Sequence, residues 1–171
     1  MMDDIAIHAL ATGSALRALE RSAHLIELVA KQDESLLGAT LAPGQFDCAE
    51  QLRTVTIFGL RTVLPVIGRD WSLNNWDRDI AAMRGQIVDA TAEIKALNES
   101  DFRGAAGKRV QHQAGEAMLD QSTEDYLVQF ALPNLWFHLS MAYAILRQAG
   151  VDIGKADFDG LHYYPPGFSW T

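Results

Sequence analysis

The amino-acid sequence predicts an all-α fold built as a four-helix bundle. Three observations carry that expectation. Four segments repeat apolar residues in alternating steps of three and four, the spacing that lines one face of an amphipathic helix. Capping residues stand just ahead of those segments and glycines or prolines close behind them. The connections are short except between the third and fourth segments, where a long crossover runs from about residue 98 to 121. A bundle needs such a link when consecutive helices are not antiparallel neighbours.

The first stripe is Ile5, Ala9, Thr12, Leu16, Leu19, Ala23, Ile26 and Ala30. Asp3 or Asp4 would cap it and suit the positive end of the helix dipole, and the helix should stop between Lys31 and Asp33. The second stripe is Cys48, Leu52, Val55, Gly59, Thr62 and Val66, preceded by a loop at Leu41-Ala42-Pro43-Gly44 and capped by Asp47. Pro65 must kink or end this helix, and Gly68 supplies a stop. The third is Trp76, Ile80, Met83, Ile87, Thr91, Ile94 and Leu97, with Asn74 or Asn75 as the expected cap. The fourth is Tyr126, Phe130, Pro133, Phe137, Met141, Ala144 and Gln148. Ser122-Thr123-Glu124-Asp125 opens it like a capping box, and Gly150 closes it.

Within the crossover, Arg109-Val110-Gln111-His112-Gln113 and Glu116-Ala117-Met118-Leu119 flank Ala114-Gly115, the pattern of a small hairpin; a disordered insert is the alternative. The end of the chain, residues 151–171, is an aromatic tail carrying Phe158, Tyr163, Tyr164, Phe168 and Trp170. Such aromatics are expected to fold back on the body or onto a second subunit, and Tyr164-Pro165-Pro166-Gly167 cannot be helical. The 171 residues suit one domain over residues 1–171.

A formal net charge of −8, with no basic run, argues against a nucleic-acid partner. No stretch approaches the ~18 apolar residues of a membrane span. The start, Met1-Met2-Asp3-Asp4, is acidic where a secretory signal would be basic, and Cys48 stands alone, so a cytoplasmic location is expected.

At the fourth helix the motifs become specific. Phe130-Ala131-Leu132-Pro133-Asn134-Leu135-Trp136-Phe137-His138 leads into Ala142-Tyr143-Ala144-Ile145-Leu146-Arg147, then Gly150-Val151-Asp152-Ile153-Gly154-Lys155, Asp157-Phe158 and Gly160. With Leu41-Ala42-Pro43 and Phe46 ahead of the second helix, this resembles a domain-of-unknown-function branch of the DinB/YfiT-like metalloenzyme superfamily, over essentially the whole chain. The resemblance implies a DinB-like four-helix bundle, often dimeric, and no established activity for this branch. In the wider superfamily it also implies a divalent metal on three histidines, one on the second helix and an i, i+4 pair on the fourth. Here only His138 occupies the pair, with Asn134 four residues before it and Ala142 four after, and Phe58 stands in the second helix where relatives can carry histidine.

The other histidines do not repair that set. His8 and His24 lie sixteen residues apart on one helix, roughly 24 Å at 1.5 Å per residue. His112 falls in the crossover and His162 in the tail. No resident metal or other cofactor is therefore expected, a divalent cation being the minor alternative. Asn134 and His138 share a helical face, and Pro133 frees a backbone carbonyl nearby. Gln51 and Thr54 of the second helix could face them, making a candidate ligand site of Asn134, His138, Gln51 and Thr54. The competing interpretation is a packing-fixing hydrogen-bond network. Cys48 in a first helical turn could be activated, but Asp47 and Glu50 beside it oppose that. Trp71, Trp76, Trp136 and Trp170 read as core and interface anchors. The G-x-S-x-G, H-E-x-x-H and C-x-x-C motifs do not occur.

Three functions follow from this reading. The first is a metal-free small-molecule binder or degenerate enzyme. The second is a metal-dependent hydrolase or thiol transferase using His138 with Asn134 or Gln51. The third is a homodimeric structural or interaction protein without a pocket. No motif decides whether the chain is an enzyme.

Overall fold

A computed structural model describes residues 2–165, 167 and 168. Trp170 and Pro166, named above, lie outside the described residues. Four long helices enclose one apolar core: α1 (Asp4–Gln32), α2 (Cys48–Val63), α3 (Ile80–Lys95) and α5 (Leu132–Gln148). Short helices α4 (Thr123–Asp125) and α6 (Lys155–Asp159) flank α5.

The caps explain where the helices begin. Asp3 accepts from the Ala6 amide at 2.8 Å, and Asp47 from the Glu50 amide at 2.8 Å. The cap of α3 is Asp79, which accepts from Ala82, and not Asn74 or Asn75. Those asparagines belong to a loop pinned by Gln86, whose Nε2 donates to the carbonyls of Asn75 and Asp77 at 2.9 and 2.8 Å. Trp76 consequently lies outside α3 and is 52% exposed, with Arg53 5.5 Å above its ring. After α2, Pro65 opens a 3₁₀ turn, Pro65–Ile67, and Gly68 ends it in the left-handed region at φ 80°. Gly59 lets α2 approach α1, since a Cβ there would stand 3.2 Å from Leu19.

The helices form as expected, but one seam is widened and one is shifted. In α1 the expected Thr12, Leu19 and Ile26 face inward together with Ile7, Ala11, Ala15, Ala18, Ser22, Leu25 and Val29, while Ile5 is exposed. In the fourth segment the inward line runs Tyr126, Ala131, Leu135, His138, Ala142 and Ile145. The step from Tyr126 to Ala131 is five residues because Tyr126–Ala131 is a π-turn, with the Leu132 amide reaching back to the Leu127 carbonyl. One extra residue shifts the phase, so Phe137 points outward, and Pro133 and Gln148 are exposed. The π-turn also suits Pro133, which has no amide hydrogen to give.

The crossover is ordered and adds a β-element to the expected all-α chain. Strands β1 (Arg109–Ala114) and β2 (Ala117–Ser122) pair antiparallel, with His112 opposite Leu119. Ahead of the hairpin, the Asp4 carboxylate accepts from the amides of Gly104 and Ala106 at 2.7 and 2.9 Å. In the tail, Phe158 packs on Trp136 and Tyr143, His24 bonds Asp157 at 2.8 Å, and Arg17 donates to the Asp159 carbonyl. Tyr163 stays 86% exposed.

Candidate functional site

The polar centre of the core lies between α2 and α5. Gln51 is buried on α2, and its Oε1 is 2.7 Å from Nδ1 of His138 on α5. An amide oxygen can only accept, so Nδ1 carries the hydrogen and donates it. Burial holds the His138 imidazole below its ordinary pKa of 6.5, with the Glu50 charge pulling the other way. The ring is therefore neutral near pH 7, and Nε2 keeps its lone pair. Glu50 is itself tied to Arg53 at 2.6 Å and to Arg78 at 3.6 Å.

Aromatic rings frame this imidazole. Phe58 lies near-parallel to it at 5.5 Å, Phe46 near-parallel at 6.3 Å, and Phe137 edge-on at 5.2 Å. Phe46 and Phe137 are about half exposed, so the frame reaches the surface.

The other two residues singled out from the sequence turn away. Asn134 donates to the Phe130 carbonyl at 2.7 Å, within the π-turn. Thr54 donates to the Glu50 carbonyl at 2.7 Å. Both follow the habit of short polar side chains inside helices, which bond the carbonyl a turn earlier. Gln51 and His138 thus meet, while Asn134 and Thr54 serve their own helices.

The donor set does not fit a three-histidine metal site. Phe58 presents a ring to His138, the Gln51 oxygen is occupied by the imidazole, and the Asn134 amide faces a carbonyl. Among the described residues no three His, Cys, Asp or Glu side chains are grouped to hold a metal ion. Cys48 is buried, and burial, then the Asp47 charge, pushes its thiol up to about 12, so it is protonated and unreactive in the folded chain.

A second polar region opens beside the first. A cleft of about 580 Å³ lies between the end of α2, the following turn and β1, lined by Arg61, Arg69, Trp71, Arg109, His112 and Tyr126 among others. Sequence reading missed it, because Arg61 looks like an ordinary surface residue until the hairpin folds over it.

The arrangement as a whole is that of the DinB-like fold. A crystal structure of a DinB family member protein from Shewanella denitrificans superposes with a TM-score of 0.79, covering 95% of this chain and 96% of that one at 23% identity. At the level of sequence, residues 4–159 match the family described as a domain of unknown function, DUF1993, and the chain belongs to that family. No curated protein matches it.

Proposed function

We propose that this DUF1993 protein is a DinB-like four-helix bundle in one domain that binds a small neutral molecule at the Gln51–His138 pair, in place of the superfamily's three-histidine metal chemistry. One observation carries the proposal. The Gln51 oxygen fixes the imidazole with its hydrogen on Nδ1, leaving a lone pair on Nε2 of a ring flanked by Phe46, Phe58 and Phe137. A lone pair in apolar surroundings accepts a hydrogen bond strongly, and the rings suit a flat apolar body. The ligand class is thus a small neutral hydroxyl- or N–H-bearing molecule. Asn134 and Thr54 shape the helix backbones that carry the pair.

Phenol is a direct probe. Its titration should shift the His138 Cε1–H resonance in untagged protein, and that response should vanish in Gln51→Leu. The variant itself leaves a buried N–H without an acceptor and should cost about 1–3 kcal/mol in urea unfolding. An unmoved His138 resonance would overturn the proposal. Stoichiometric zinc or nickel in the isolated protein, lost in His138→Ala, would instead favour the metal-dependent hydrolase or thiol transferase. The proposed macromolecular partner is a second copy of the chain. Its support is the exposed apolar set Phe46, Phe137 and Trp76. The chain's acidity supports a protein without nucleic-acid partners, and among the described residues no helix is long and apolar enough to cross a membrane.

A further inference from the structure

The cleft between the end of α2 and the hairpin holds an arginine that forms no ion pair among the described residues. Arg61 has no carboxylate partner among the described residues; its Nη2 donates to the Gln113 carbonyl at 2.8 Å. Its guanidinium carbon stands 4.9 Å from the ring centres of Phe58 and Phe130 and 5.6 Å from that of Trp71. The neighbouring arginines are already engaged, Arg69 by Glu93 at 2.6 Å and Arg109 by Asp120 at 2.8 Å. In a chain of net charge −8, an arginine left to aromatic faces and one carbonyl is unusual, because carboxylates are plentiful.

A second observation points the same way. His112, on β1, is 8% exposed and also lines the cleft. Its Nε2 is 2.7 Å from the Gln121 oxygen and must donate to it, yet its buried Nδ1 has no partner. Buried polar atoms are rarely left unpaired, and such an atom beside a cleft marks a place a ligand can complete. His112 and Arg61 both lie against Phe130, the imidazole at 4.2 Å. The indole of Trp71 offers a flat wall, and about 580 Å³ suits a small organic ligand. Asp70 lines the cleft too and disfavours a multiply charged ligand.

We infer that this cleft is a binding site for a flat organic monocarboxylate, its carboxylate on the Arg61 guanidinium, its ring on Trp71, and a hydroxyl or N–H of the ligand donating to Nδ1 of His112. This site is separate from the Gln51–His138 pair and does not depend on it. The guanidinium fork matches a carboxylate with two parallel hydrogen bonds, which a lysine could not do.

The test is calorimetric titration of the full chain carrying Gln51→Leu, which closes the other site to neutral phenols, with 4-hydroxybenzoate and, alongside, its neutral counterpart 4-hydroxybenzamide. The acid should bind at least tenfold more tightly than the amide. Arg61→Lys should lose most of that preference, and His112→Phe should weaken the acid several-fold. Trp71→Phe should remove the change in tryptophan fluorescence that accompanies binding. The acid should bind equally well with and without Gln51→Leu, which separates this site from the other. Equal binding of acid and amide, or no acid binding at millimolar concentration, would overturn the inference, as would full retention of affinity in both Arg61→Lys and Arg61→Met variants of native circular dichroism.

Discussion

His138 illustrates how one buried titratable residue ties packing to pH. Its folded pKa lies below 6.5 because burial disfavours the imidazolium. The unfolded chain then binds a proton that the folded chain refuses. Stability is full above pH 6.5 and falls as pH drops from there toward the folded pKa. Carboxylates such as Asp4, held below 3.8 by the Ala106 and Gly104 amides, lose their contribution only at lower pH. The expected outcome is a shoulder in the pH dependence of the urea midpoint that sets in as pH falls below about 6.5. That shoulder should flatten in His138→Gln; an identical slope in the variant would assign it elsewhere. At this scale the sequence was legible only in part. Helical spacing suffices to suggest that Gln51 and His138 could meet, because both lie on long, regular helices. It could not show that Asn134 and Thr54 turn to their own backbones. It was silent on Arg61 and His112, whose surroundings exist only once the hairpin closes.

Among the elements, the π-turn has the widest effect. It explains why a stripe counted forward from Tyr126 in threes and fours drifts onto Pro133 and the exposed Phe137. Periodicity assumes one residue count per turn, and no local signal marks where that count changes, although Pro133 two residues later is compatible with it. Lengths and caps were easier, since Asp3, Asp47 and Ser122 each accept the amide that a capping residue should. The cap of α3 escaped because Asn74, Asn75 and Asp79 are all capable types, and tertiary bonds from Gln86 decide between them. A deletion pair tests the π-turn. In a Pro133→Ala background, removing Gln129 should convert the π-turn to α-helix and keep both Tyr126 and Ala131 inward, so the far-ultraviolet spectrum should stay native. Removing Ser140, equally exposed but in regular helix, rotates everything on one side of it by about 100° and should unfold the chain. Equal damage from the two deletions would refute this account.

At the scale of the whole molecule, α1 is fastened both to the segment before the hairpin and to α6. Asp4 holds the loop before the hairpin, and α6 is tied to α1 through His24 with Asp157 and Arg17 with the Asp159 carbonyl. The two Asp4 bonds pin the 98–121 segment to α1, which helps to structure it despite its weak propensity. Phe46 and Phe137 are the exposed rings beside His138, so a second copy covering them would also cover that imidazole. Sedimentation at micromolar concentration should give a dimer, and Phe137→Glu should give a folded monomer. A wild-type monomer under those conditions would remove the second copy from the proposal.

The extra residue in the π-turn also has a consequence for ancestry. An insertion in the middle of a helix is usually ruinous, yet here the surplus is absorbed within a single turn, and Tyr126 and His138 still look inward together. Any relative with an uninterrupted helix must therefore be aligned with a gap of one between Tyr126 and Ala131. Without that gap, every correspondence on one side of the turn slips by one position, and residues that share a role will be paired with neighbours that do not.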